Sequence, residues 1–200
     1  TSQDLMDSDM AIDFSSPDFV VDNIHKAFKA NVPIVVGTTG WNKDFDKVKN
    51  WCNEYNGSIL PSSNFSLGVN IFFEINKQLS KIMNRQKSYS AKIRETHHTE
   101  KVDSPSGTAI TTAEIILEEM DHYSNWVSNT SNYGNKLPII AKRQAGVAGT
   151  HQVIYESNID ELSISHRAKN RDGFAIGAII AAEFLFNKKG LFSMKDVVKF

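Results

Sequence analysis

The sequence predicts an α/β protein in two lobes, one built on a parallel sheet and the other an α+β lobe inserted into it. Three observations carry this prediction. Strand-like and helix-like segments alternate through the first third of the chain. A pattern of half-buried strands takes over after Asn64, and an apolar helical segment near Phe174 to Asn187 can return to the first lobe.

The first lobe begins with "MAIDFS", Met10 to Ser15, a short apolar run that stops at Ser16-Pro17. Ser16 can cap a helix there and Pro17 can open it. Phe19, Val20, Ile24, Ala27 and Phe28 then fall at helical spacing and predict one buried face. Strand "PIVVG" follows, and the polar turn "TTGWN" leads to a second helix with Phe45, Val48, Cys52 and Tyr55 on one face. "SILPS" reads as the next strand. Repeats of this length argue for parallel βαβ units.

In the second lobe a helix from about Gly68 to Asn84 presents Ile71, Phe72, Ile75, Leu79 and Ile82. The segments "SYSAKIRE", "LPIIAKR", "GTHQVIYES" and "ELSISHRA" alternate as strands of an antiparallel sheet with helices on one side. "AGVAGT", Ala145 to Thr150, reads as a hairpin turn, and Asn125 to Asn135 as a mobile loop.

Composition narrows the function. The 200 residues are 40% hydrophobic and 22% charged, with 22 Lys plus Arg against 23 Asp plus Glu and a net charge of -1. That balance excludes the global basic field of a nucleic-acid binder, so any anion must be met by a local cluster. The single cysteine, Cys52, cannot pair internally, which favours a reducing, cytoplasmic setting. The longest apolar run, Phe174 to Phe186, is too short to span a bilayer and carries Glu183, so no membrane role is expected.

Two groups of residues could carry chemistry. "GTTG", Gly37 to Gly40, and "PSSNFS", Pro61 to Ser66, lie at the carboxyl ends of parallel strands, where open α/β sheets bind ligands. Their amides and small polar side chains suit the carboxamide and ribose of a nicotinamide cofactor, although both stretches are also ordinary turn chemistry. The 11 glycines contain no Gly-x-Gly-x-x-Gly between a strand and a helix, the element that seats a pyrophosphate.

The second group is "ETHHTEKVDSPSGTA", Glu95 to Ala109. A strand end runs into a turn and then into the helix "ITTAEIILEEM", with Ser104 or Ser106 placed to cap it and Ile110, Ile115 or Ala113, and Leu117 inward. Amides of Ser106, Gly107 and Thr108 at that helix start favour a carboxylate or phosphate. Lys101 adds a full positive charge, and His97 and His98 can exchange a proton near neutral pH. Together they predict a small dicarboxylate held by amides and cations, with a proton delivered beside it. Lys142, Arg143, His151, His166, Arg167, Lys169 and Arg171 form a second polar group that serves the same anion or makes solvated faces or subunit contacts, the latter being the reading for Lys142, Arg167 and Lys169. A metal site is not expected: neighbouring histidines diverge on a strand, no third His or Cys sits at ligand spacing, and Asp103 alone does not complete a zinc set.

At these residues the chain resembles the 4-hydroxy-tetrahydrodipicolinate (dihydrodipicolinate) reductases, whose signature is Glu-x-His-His-x-x-Lys-x-Asp-x-Pro-Ser-Gly-Thr-Ala. The resemblance extends to "AIDFSSP", "VVGTTGW", "SSNFSLGVN", "RQAGVAGTH", "ISHRAKNRDGFAIGA" and "GLFSMKDV". It implies a Rossmann-type dinucleotide domain over 1–66 and 175–200, incomplete at its start, with an inserted α+β domain for substrate binding and tetramer formation over 67–174. By the same resemblance Gly37, Thr38, Thr39, Ser62, Ser63, Asn64 and Phe65 contact NADH or NADPH. His97 is a proton donor or acceptor, Lys101 a proton donor, and His98, Gly107 and Thr108, supported by Ser106, hold a carboxylate of the cyclic substrate.

The implied reaction is reduction of 4-hydroxy-tetrahydrodipicolinate to tetrahydrodipicolinate in lysine and diaminopimelate biosynthesis, by a cytoplasmic homotetramer. The family's Gly-rich strand-turn-helix start has no counterpart here, and the expectation is that the sequence is part of a longer protein. Two other functions fit less of the sequence. One is another two-lobed NAD(P)-dependent amino-acid dehydrogenase, which does not call for the His97, His98 and Lys101 set. The other is a truncated, inactive chain that binds a dicarboxylate or serves as an assembly subunit.

Overall fold

The computed structural model describes residues 2–128 and 134–199. It divides into two units, Thr1–Asn70 with Asp172–Phe200, and Ile71–Arg171. The chain opens with β1 (Ala11–Asp13), α1 (Pro17–Lys29), β2 (Ile34–Val36), α2 (Phe45–Glu54), β3 (Ser58–Pro61) and α3 (Leu67–Met83). Then come β4 (Ser90–His97), α4 (Gly107–Glu119), β5 (Trp126–Ser128), β6 (Leu137–Arg143), β7 (Gly149–Glu156) and β8 (Glu161–Ala168). The last elements are α5 (Asp172–Leu185), β9 (Gly190–Leu191) and α6 (Met194–Val198).

In the first unit β1, β2, β3 and β9 form a parallel sheet in that order. Apolar clusters cover both of its faces, as parallel sheets require. On one side Val20, Ile24, Ala27 and Phe28 of α1 meet Val48 and Cys52 of α2 over Ile34, Val36 and Ile59. On the other, Ala178, Ala181 and Leu185 of α5 pack with Val35, Leu60 and Phe65. Pro17 opens α1 as expected, but the Ser16 side chain makes no capping bond. Phe19 lies off the stripe and is exposed, as is Phe45 at the start of α2.

The second unit holds the sheet β5-β6-β4-β7-β8. It is mixed, not wholly antiparallel: β5, β6 and β4 run parallel, while β4, β7 and β8 are antiparallel. The reason is the helical crossover α4, which returns the chain to the same end of the sheet before β5 and β6. Consequently the Ala145–Thr150 stretch is not a hairpin. It passes over the end of β4, which separates β6 from β7, and Gln144 N–H donates to the His97 carbonyl at 2.7 Å. The expected loop Asn125 to Asn135 contains β5 at its start, and its residues 129–133 lie outside the described residues.

Both helices on this sheet are rotated relative to their apolar patterns. On α3 the buried positions are Val69, Phe72, Asn76, Ser80 and Met83, whereas Ile71, Ile75 and Ile82 are exposed. Two polar residues occupy the buried stripe because each finds a partner. Asn76 Nδ2 donates to the Thr112 carbonyl at 3.1 Å, and Ser80 Oγ lies 2.9 Å from the Tyr155 hydroxyl. The Tyr155 hydroxyl is pushed up to about 12 by its burial. On α4 the buried face is Ala109, Thr112, Ala113 and Ile116, with Ile110, Ile115 and Leu117 partly exposed. Small residues on that face let the helix sit close to Ile93, Ile139 and Val153 of the sheet.

Candidate functional site

In the first unit the carboxyl ends of β1, β2 and β3 open into two neighbouring cavities. One, of about 350 Å³, is lined by Thr38, Thr39, Gly40, Trp41, Phe45, Ser62 and Ser63, among others. The second, of about 250 Å³, is bounded by Phe14, Ser15, Pro17 and Gly37 to Thr39. The larger is within the range of small-ligand sites. Gly40 turns the loop with φ +85, a conformation that favours glycine. Trp41 is buried beneath it and donates Nε1–H to the Thr38 carbonyl at 2.8 Å.

Asp13 is the organising group of this loop, and its part is not evident from spacing. Its carboxylate accepts from Thr38 Oγ1 at 2.6 Å, Asn23 Nδ2 at 2.8 Å and the Ser15 amide at 3.2 Å. Burial pushes the carboxyl up, but the bonds from Thr38, Asn23 and Ser15 outweigh it and hold it below the usual carboxylate range. A carboxylate at the last position of a parallel strand, next to the ligand-side loops, is the available signal. Ser62 Oγ, Asn64 and Ser66 tie the next loop together, with Ser62 Oγ donating to the Asn64 carbonyl at 2.8 Å. The Phe65 ring is core, packed on Val35 and Leu60 and edge-on to Phe14, so a ligand reaches its backbone and not its ring. Replacing Asp13 with Ala should cost the fold at least one charge-assisted bond of about 1.5 kcal/mol, or about 3–6 °C in melting temperature. An unchanged melting temperature would contradict its role in holding the loop.

In the second unit β4 alternates Ala91, Ile93, Glu95 and His97 inward, so the face that begins as core ends in two titratable groups. Sheet register sets Glu95 opposite His151 of β7, His151 opposite His166 of β8, and His97 opposite Arg143 of β6. The Glu95 carboxylate is fully buried. It accepts the Ser106 amide at 3.0 Å and the Ser106 hydroxyl, while His97 Nδ1 stands at 3.3 Å, His151 Nε2 at 3.6 Å and Arg143 Nη1 at 3.7 Å. Ser106 is the N-cap of α4 and accepts from the Ala109 amide at 3.2 Å. Its hydroxyl is thereby committed, and it supports the helix start from behind, whereas Gly107 faces open space.

Burial pushes Glu95 up, yet the close approach of His151 and His97 and the hydrogen bonds from Ser106 dominate and hold it far below the usual carboxylate range. His151 and His166 are held below the ordinary histidine value, in each case chiefly by burial. These directions fix a pH response. The unfolded chain takes up protons near pH 6.5 that folded His151 and His166 refuse, so stability present above that pH is lost as pH falls through it. Glu95 and Asp13 add stability that is present above about pH 4 and lost on further acidification. Melting temperature should therefore fall in two stages, and a flat profile between about pH 7 and 5 would contradict the first.

The neighbouring residues fall into place around this core. Lys101 Nζ is 2.7 Å from Asp103 Oδ1, and Arg143 clamps the same loop by donating to the Lys101 carbonyl at 3.2 Å and the Asp103 carbonyl at 2.5 Å. Arg171 Nη2 lies 3.1 Å from His98 Nε2, so Arg143, His151 and Arg171 join the cluster. Lys142, Arg167 and Lys169 are exposed. The spacing argument against a metal is incomplete, because the fold brings in His151 and sets ligand atoms of Glu95, His97 and His151 within 4.8 Å of one another. The Ser106 hydroxyl and amide already occupy that carboxylate, which gives a hydrogen-bonded hub.

Comparison with known proteins identifies the family. Residues 1–65 match the family model for the N-terminus of dihydrodipicolinate reductase and residues 68–198 that for its C-terminus. A 4-hydroxy-tetrahydrodipicolinate reductase of Christiangramia forsetii is 48% identical over 190 residues, covering 95% of this chain and 79% of the relative. One from Methanopyrus kandleri is 36% identical over 198 residues, covering 96% and 72%. Among solved structures, the dipicolinate-bound dihydrodipicolinate reductase from Paenisporosarcina sp. TG-14 matches in fold with a TM-score of 0.82 at 21% identity, over 98% of this chain and 77% of that one. With both family models matched along nearly its whole length, the chain belongs to the dihydrodipicolinate reductase family.

Proposed function

We propose that the protein reduces 4-hydroxy-tetrahydrodipicolinate to tetrahydrodipicolinate with NADH or NADPH, a step of lysine and diaminopimelate biosynthesis. The observation that carries this reading is the end of β4: inside the matched segment, the buried Glu95 carboxylate stands between His97 and Ser106, the cap of α4, and His98 and Lys101 follow in the same stretch. The first unit is the dinucleotide domain and the second binds substrate. The cavity beside Thr38, Thr39, Ser62 and Ser63 fits a nicotinamide and its ribose in size and polarity. Gly37 lines the adjoining cavity, and Asn64 and Phe65 follow Ser63 in the same loop. Held there, NADH or NADPH would supply the hydride that replaces the hydroxyl at C4 of the cyclic dicarboxylate, the hydroxyl leaving as water with one added proton.

The chain's own residues do the rest. The amides of Gly107 and Thr108 at the positive end of α4, with His98, hold a carboxylate. His97 and Lys101 donate the proton that the reduced ring and departing water require. Lys101, paired with Asp103, is held within the loop that Arg143 fixes. Assembly as a cytoplasmic homotetramer through the second unit's sheet is consistent with β8, an edge strand with Leu162 exposed. Calorimetric titration with dipicolinate tests the substrate site. Saturable binding that His98→Ala and Thr108→Ala each weaken about tenfold or more supports it, at about 1.5 kcal/mol per charge-assisted bond. Binding indifferent to both substitutions would contradict it.

A further inference from the structure

We propose that Glu95 is the positioning residue of the site: one buried carboxylate sets which nitrogen of His97 exchanges the proton and, through Ser106, sets where the start of α4 lies. This rests on the reading of His97 as a proton donor and deepens it. The geometry supplies both halves. His97 Nδ1 is buried, out of line for a full hydrogen bond, and 3.3 Å from Glu95 Oε2. Such bonds align when ligand closes the site.

An N–H at Nδ1 directed to a carboxylate leaves Nε2 as the exchanging atom. Nε2 has room on that side because residue 149 is glycine: a Cβ at Gly149 would stand 3.1 Å from His97 Nε2. The same carboxylate accepts the amide and hydroxyl of Ser106, the residue that caps α4, so the proton donor and the carboxylate-binding helix start share one anchor. The groups facing Glu95 are His97 on its own strand, His151 from β7, Arg143 from β6 and Ser106 from α4. None of them presents a second carboxylate, and nearby Asp103 is paired with Lys101, so among the described residues Glu95 is the carboxylate that meets His97 Nδ1.

Glu95→Gln keeps the shape of the side chain but offers His97 an amide donor, which favours the opposite tautomer. Expected is a fall in kcat of about 10²-fold, the low end of what a positioned proton donor contributes, with cofactor KM unchanged and partial recovery in Glu95→Asp. A lower melting temperature with full kcat would show a structural role only and overturn the proposal. Should Glu95→Gln fail to fold, ¹⁵N-histidine NMR of the wild-type protein decides. A proton on Nδ1 of His97 supports the proposal, and a proton on Nε2 overturns it. Full turnover in His97→Gln would instead strike the reading of His97 itself, which separates the two failures.

Discussion

Turnover by His97→Gln and by Lys101→Ala falls by about 10²–10⁴-fold while the KM for NADH or NADPH stays within about twofold of wild type, because a positioned acid contributes that much to rate and little to cofactor binding. The two sets of residues belong to different units, His97 and Lys101 to the second and Thr38 and Ser62 to the first. Steady-state kinetics with saturating cyclic substrate checks the split. An equal rise in cofactor KM and loss of kcat would mean that the substitutions disturb the fold at large. His97 is also nine-tenths buried among Glu95, His151 and Gly149, so Gln is the gentler replacement.

Gly177→Ala should be the most damaging single methyl in the first unit. A Cβ there would lie 1.9 Å from the Phe65 carbonyl oxygen and 2.7 Å from its carbon, both backbone atoms that cannot rotate away. Relief requires lifting α5 off the loop after β3, with loss of packing among Ala178, Ala181, Leu185, Leu60 and Phe65. The cost should reach about 3 kcal/mol, the upper end for overpacking, or about 6–12 °C in melting temperature for a chain of this size. A melt within about 2 °C of wild type would contradict this packing. Gly37→Ala meets the Phe14 ring instead, and that ring is half exposed and free to swing aside, so its effect on stability should be much smaller.

Much of the fold was legible in the residues. The alternation of β4, the Ser106 cap at the Ser-Gly-Thr start of α4, and the loops Gly37 to Gly40 and Pro61 to Ser66 at the carboxyl ends of β2 and β3 are all in place. What escaped depended on partners distant in sequence. Asn76 and Ser80 read as surface positions until Thr112 and Tyr155 supply their hydrogen bonds, and the apolar stripe Ile71, Ile75 and Ile82 then faces out. Glu95 lies two residues before His97 on the same strand face. Its role nevertheless becomes visible only when β7 brings His151 and α4 brings Ser106. The mixed sheet was missed for a similar reason: alternation shows that a strand has two faces but carries no direction.

The most direct test of the account is NADH and NADPH consumption by the purified protein while the cyclic substrate is generated in the cuvette, followed through the loss of nicotinamide absorbance. The account predicts consumption that depends on the substrate and is suppressed by dipicolinate. Binding of both cofactor and dipicolinate with no consumption would contradict it, leaving a dicarboxylate-binding protein in place of a reductase.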